Sequence, residues 1–249
     1  MTHPTDHAVT VLAALSRLSC SSGRTLFDCC VPKRFLAVHN NCVYATNGAR
    51  MIRITYSQRG DMPECARGKS SHILASHILD DDMRSDNSIT VASIRKCIQG
   101  LESLCAKYMR VEHCGARANV TKLLEHIGPQ GRRAHRYWDY VLLYARGIRL
   151  YAVRVNGNEL SAPGLLCGAR LLGPFATIQL HPVLRFARSI GVTTLYSTRR
   201  TKEHCHPAVF SGMGAGLRMD AIIMPLRCYS DEFHRVKGAV ANGSDFEHG

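Results

Sequence analysis

The sequence predicts an α+β protein in which antiparallel strands pack on short amphipathic helices. Three observations lead there. Four segments place apolar residues at i, i+3, i+4 and i+7, the spacing that gathers them on one face of a helix. Between them lie runs rich in β-branched and aromatic residues, several joined by links short enough to demand hairpins. The chain has 249 residues, 45% of them hydrophobic and 20% charged, enough for one large core or two domains of about 100–150 residues.

The helical segments in order are Val11, Ala14, Leu15, Leu18; then Ile94, Cys97, Ile98, Leu101; then Val120, Leu123, Leu124, Ile127; and Val183, Phe186, Ala187, Ile190. Pro182 is placed in the first turn of the last one and Gly191 just beyond its end, where proline and glycine serve best. Strands are expected at Thr25 to Cys29, Arg34 to Val38, Cys42 to Ala45, Met51 to Tyr56, Lys107 to His113, Tyr137 to Ala145, Ile148 to Val155, Phe175 to Leu180, Thr193 to Ser197, Ala208 to Ser211 and Met219 to Met224. His39-Asn40-Asn41, Asn47-Gly48, Arg146-Gly147 and Asn156-Gly157-Asn158 supply the tight links. The run from Gln58 to Asn87 has few strongly apolar positions and reads as a long excursion, in which Asp80 to Asp82 form a solvated acidic stretch. From Ser230 the chain turns polar and glycine-bearing, a loosely ordered tail.

Lysine and arginine total 32 against 19 acids, a formal charge of +13, which implies a polyanionic partner, above all nucleic acid. The basic residues are spread along the chain, a distribution suited to backbone phosphates rather than base edges. No run approaches the ~20 apolar residues of a membrane helix, and the N-terminus lacks the order of a secretion signal, so the expected location is the cytoplasm with no membrane partner. In a reducing compartment the 11 cysteines read as small buried hydrophobes rather than a disulfide framework. No Cys-x-x-Cys occurs, and His204-Cys205-His206, Cys29-Cys30 and His113-Cys114 read as structural; no metal and no cofactor are expected. A phosphate-binding glycine loop, a His-Glu-x-x-His and paired acids at a usable spacing are likewise missing, so catalysis is not expected. The 13 histidines and 11 cysteines keep a thiol- or metal-dependent nucleic-acid enzyme as an alternative.

Two stretches are more specific. Ala221-Ile222-Ile223-Met224-Pro225-Leu226-Arg227 is an apolar strand stopped by a proline and closed by an arginine, and Ala45-Thr46-Asn47-Gly48-Ala49-Arg50-Met51 sets a turn between two apolar runs. In this order they resemble two landmarks of the bacterial DNA polymerase sliding clamp, the beta subunit of the replicase: the Ala-Thr-Asp-Gly-His-Arg-Leu hairpin of its middle domain and the Met-Pro-Met-Arg ending of its last. Here Asn47 replaces the usual Asp, Ala49 His, Met51 Leu and Leu226 a second Met. Val9 to Leu18, Ile89 to Leu104, Gly147 to Tyr151 and Ile178 to Gly191 are similar to further clamp segments in the same order.

The resemblance covers most of residues 7 to 228 and implies two clamp-like domains, 1–117 and 118–229, followed by the tail 230–249. It implies a processivity factor without chemistry of its own, whose basic helix faces contact duplex DNA without sequence preference. Arg95, Lys96, Arg185 and Arg188 are the DNA-contacting candidates. It also implies a cleft for short peptides of the replicative polymerase and other clamp-binding proteins, built from Thr46, Gly48, Arg50 and Met51 with Ile222, Met224, Pro225, Leu226 and Arg227. The apolar residues would form anchor pockets and the arginines the rim; Ile223, on the opposite face, reads as core. Since clamp rings contain six similar domains, a two-domain chain implies a homotrimer. A clamp fold that binds nucleic acid without ring closure is the other alternative.

Overall fold

The computed structural model describes residues 10–15, 18, 35–47, 49–67, 71–75, 99–100, 102–103, 106, 116–128, 139–156, 159–160, 170–197 and 207–226. The fold is α+β, and the strands among the described residues form one sheet. In chain order these are β1 (Phe35–His39), β2 (Cys42–Thr46), β3 (Arg50–Thr55), β4 (Ser71–Ala75), β5 (Arg117–Asn119), β6 (Asp139–Arg146), β7 (Arg149–Asn156), β8 (Glu159–Leu160), β9 (Arg170–Ala176), β10 (Thr194–Ser197), β11 (Ala208–Gly214) and β12 (Leu217–Ile223). Their spatial order is β4-β1-β2-β3-β12-β11-β10-β5-β7-β6-β9, with β8 beside β7. Among the described residues every pairing is antiparallel except β5 with β7, which meet in parallel at Arg117 and Arg149.

Residues 10–15 form helix α1, Glu64–Arg67 the short α2, Val120–Ile127 α3 and Thr177–Ser189 α4. Helix α3 starts on Asn119, whose side chain accepts the Lys122 N–H at 3.0 Å, and stops at Gly128, where φ is 68°. Its Val120, Leu123, Leu124 and Ile127 are all buried, as the spacing requires. Helices α3 and α4 pack on each other; α3 also meets β5 and β7, and α4 meets β6, β9 and β12. The Leu226 N–H, just past β12, donates to Pro174 O on β9 at 2.9 Å. The seven strands from β12 to β9 therefore curl until their ends meet, with the two helices packed against the inner side.

Alternation along the strands divides the sheet cleanly. Ala45, Ile52, Ala221, Phe210, Leu195, Ala118, Leu150 and Ala145 belong to the core beneath the helices. The opposite face carries one unbroken register row across eight strands, Tyr44, Arg53, Asp220, Ser211, Tyr196, Arg117, Arg149 and Arg146.

Several expectations need correction. Thr177 to Leu180 are helical rather than the end of a strand, so Pro182 lies inside α4 and not in its first turn. A proline there leaves the Ile178 carbonyl without its intrahelical donor; Arg50 Nη1 donates to that oxygen instead, at 3.0 Å. The excursion after Gln58 contains a 3-10 turn (Arg59–Asp61), α2 and the edge strand β4, which pairs with β1. Strands β11 and β12 extend to a turn at Ala215 and Gly216, both at positive φ, 47° and 76°. Asn47 opens its turn rather than sitting at the centre: its N–H donates to Arg50 O, and its side chain accepts the N–H groups of Ala49 and Arg50. The expected strands at Thr25 to Cys29 and Lys107 to His113, the acidic stretch, His204 to His206 and the tail lie outside the described residues.

Candidate peptide cleft and nucleic-acid face

The two landmark segments lie side by side. Strand β3 pairs with β12, with Met51 opposite Ile222 and Arg50 opposite Ile223. Past the end of β12, Met224 N–H donates to Ala49 O at 2.8 Å. Thr46 faces Met51 across the hairpin, so Thr46, Met51 and Ile222 share one face. All three are buried, at 3%, 0% and 3% exposure, while Ile223 lies in the core on the other face. Met224, Pro225 and Leu226 are half-buried, as β12 gives way to irregular chain at the proline.

Arg50 is not at the rim where it was expected. It is 8% exposed, and its guanidinium donates to Ile178 O at 3.0 Å, to Gln179 Oε1 at 3.3 Å and to Leu18 O at 3.3 Å. Asn47 Nδ2 donates to the same Gln179 Oε1 at 2.8 Å. These bonds tie the hairpin to the start of α4, so Arg50 closes the seam instead of greeting a ligand. Gly48 and Arg227 lie outside the described residues.

The second surface is the outer face of the helix pair. Arg185 and Arg188 are exposed on α4, and Lys122 and His126 are exposed on the adjoining α3. Arg154 of β7 reaches the same region and donates to Ile127 O at 3.1 Å. His181 reports the local field: its pKa is held below the ordinary 6.5, first by burial and then by Arg185, Arg154 and Arg188. A neutral imidazole therefore sits under a cluster of fixed positive charge. Lys122 and His126, four residues apart on α3, were missed by the sequence reading, although the polar positions between the apolar ones carried the signal. Arg95 and Lys96 lie outside the described residues. No helix among the described residues is long and apolar enough to cross a membrane.

No protein-family model and no curated protein matches the chain. Among solved structures it is similar to proliferating cellular nuclear antigen from Entamoeba histolytica, with a TM-score of 0.43 and 7% identity over 88% of this chain and 96% of that one. It is also similar to A. fulgidus PCNA bound to the C-terminal region of FEN-1, with a TM-score of 0.39 and 10% identity over 92% of this chain and 97% of that one. At these scores the likeness is one of general chain course.

Proposed function

We propose that the chain is a sliding-clamp-like processivity factor that holds duplex DNA without sequence preference and docks short peptides of a replicative polymerase. The observation that carries this reading is the register of Met51 beside Ile222, which joins two motifs far apart in sequence into the seam that the clamp resemblance implies. The exposed cations of α3 and α4 support the DNA half of the proposal, because a protein that slides must contact phosphates and leave base edges unread. The apolar run of Met224, Pro225 and Leu226 supports the peptide half: such ligands depend on a few buried anchors, and methionine adapts to varied partners.

A two-domain chain of this kind closes as a head-to-tail homotrimer. Native mass measured over a range of concentrations should approach three chains, and the assembled protein should be retained on circular DNA but lost when the circle is cut. A chain that stays monomeric when concentrated, with equal retention on circular and linear DNA, would refute the ring. Replacing Met224 and Leu226 together by Ala should weaken binding of an apolar-anchored polymerase peptide by about 1–3 kcal/mol while leaving duplex binding unchanged.

A further inference from the structure

The outward register row changes character along its length. In its middle, Asp220 is fully buried, takes Arg53 at 2.9 Å and Arg218 at 3.2 Å, and accepts the Ser211 hydroxyl at 2.6 Å. There one buried carboxylate is shared by two arginines. Farther along, Tyr196, Arg117, Arg149 and Arg146 stand in file on β10, β5, β7 and β6, and all are exposed. Among the described residues no carboxylate pairs with any of these three arginines. Neighbouring strands are about 4.8 Å apart, and like charges directly opposite each other destabilise a sheet. The fold holds three guanidiniums in one line with no carboxylate beside them among the described residues, next to a stretch of the same row where Arg53 meets a buried acid.

Next to this file is a cavity of 420 Å³, where β5 and β7 splay apart after their one parallel pairing. Arg117, Arg149 and Lys122 line it together with Tyr151 and Tyr196, and among the described residues no acid does. The Tyr151 ring is held by stacking on Tyr144, with centroids 5.4 Å apart and planes 15° from parallel. Tyr196 is 41% exposed and offers a free edge of the mouth. A file of cations on neighbouring strands, beside a pocket with aromatic walls, suits a strand whose bases can leave the stack. A duplex keeps its bases paired and cannot fill such a pocket.

We infer that the file of Arg117, Arg149 and Arg146 with its adjoining cavity is a binding site for single-stranded nucleic acid, phosphates on the arginines and Lys122, and one base against Tyr151 and Tyr196. The site lies where the outward arginine file meets the start of α3, whose Lys122 lines the cavity, away from Arg185 and Arg188 of α4, and it does not require a closed ring, so it goes beyond the duplex contact proposed above. The test is fluorescence anisotropy of a labelled oligothymidine of about 12 nucleotides with the full chain at low salt, where charged contacts are strongest. Arg117→Ala with Arg149→Ala should weaken binding about tenfold or more and lower the salt slope by about 1.4, from about 0.7 per phosphate contact on a single strand. Tyr196→Ala, at an exposed position, should weaken binding several-fold without altering the salt slope. Arg185→Ala with Arg188→Ala removes equal charge from the helix face and should leave oligothymidine binding within about threefold, while weakening a duplex of the same length. Failure of the duplex arm alone would count against the proposed function and leave this inference standing. Equal losses for the two arginine pairs, no loss for Arg117 and Arg149, or no oligothymidine binding by the wild type would overturn it.

Discussion

Arg50 and Pro182 should be energetically coupled, and the coupling can be measured. Pro182 removes the N–H that would bond the Ile178 carbonyl one turn back, and Arg50 Nη1 donates to that oxygen at 3.0 Å. Arg50→Ala strips the oxygen of this donor, also frees Leu18 O, held at 3.3 Å, and removes a 3.3 Å bond to Gln179 Oε1, which keeps Asn47 Nδ2 at 2.8 Å. Charged hydrogen bonds contribute about 1.5–3 kcal/mol each, and an unsatisfied buried acceptor costs about 1–3 kcal/mol. Two of the three bonds are long and Ile178 is half-buried, so the lower part of that range applies and Arg50→Ala should cost about 2–3 kcal/mol. When residue 182 is alanine, its own N–H can reach Ile178 O. The same Arg50→Ala change should then cost about 1 kcal/mol less.

Urea unfolding of wild type, Arg50→Ala, Pro182→Ala and the double variant closes the cycle. Distant, independent substitutions add to within about 0.5 kcal/mol. Additivity at that level would refute the assignment of Arg50 as the substitute donor. So would a coupling of opposite sign, in which alanine at 182 makes the loss of Arg50 more damaging.

Asp220→Ala should destabilise the fold by about 3 kcal/mol, near the lower bound for breaking a buried pair, because Arg53 and Arg218 keep 18% and 41% of their side chains exposed and stay partly hydrated; an unchanged urea midpoint would refute it. His181 has a folded pKa below its unfolded 6.5, so between those two values the unfolded chain binds more protons. Stability should therefore fall as the pH drops through 6.5 toward the folded value, and His181→Gln should flatten that part of the profile. A stability difference between the two proteins that stays constant from about pH 8 to about pH 5 would contradict this. Ala215, at φ 47°, adopts a left-handed conformation better suited to asparagine; Ala215→Asn should raise stability by about 0.5–1 kcal/mol, read as a higher urea midpoint.

The parts of the fold legible in the sequence were those whose signal is local. Helix α3 showed because Val120, Leu123, Leu124 and Ile127 repeat at the helical period, and β1 to β3 showed because Asn40 and Asn47 punctuate them. The two landmark segments stand out through resemblance, and their adjacency follows from the pairing of β3 with β12. What stayed hidden depends on distant partners. Thr177 to Leu180 has a strand-like composition before a proline, and the donor that takes the place of the missing Pro182 N–H comes from Arg50, over a hundred residues earlier. Strand β5 is three residues long and is recognisable by the neighbours it pairs with. Gly212 and Gly214 concealed the end of β11, where a Cβ would come within 2.5 Å of Val192 Cγ1 and 2.4 Å of Val192 N respectively, so close approach rather than turn formation explains these glycines. Arg50 looked like a rim residue because its burial is set by α4 and Leu18, which the local sequence does not reveal.

The placement of charge on β7 decides whether the helix face and the outward arginine file can be one binding surface. Arg149 pairs with Arg117 and Arg146 in the outward row, whereas Arg154, five residues on, reaches the end of α3 on the helix side. An odd separation along a strand puts two side chains on opposite faces, so the two cations of β7 cannot contact the same stretch of phosphates without the strand being circumvented. Removing cations from one face should thus weaken the ligand of that face far more than that of the other. A protein whose +13 charge acted only as a diffuse cloud would lose affinity for duplex and single strand in equal measure whichever pair was removed, and the two faces make opposite predictions for the same two pairs of substitutions.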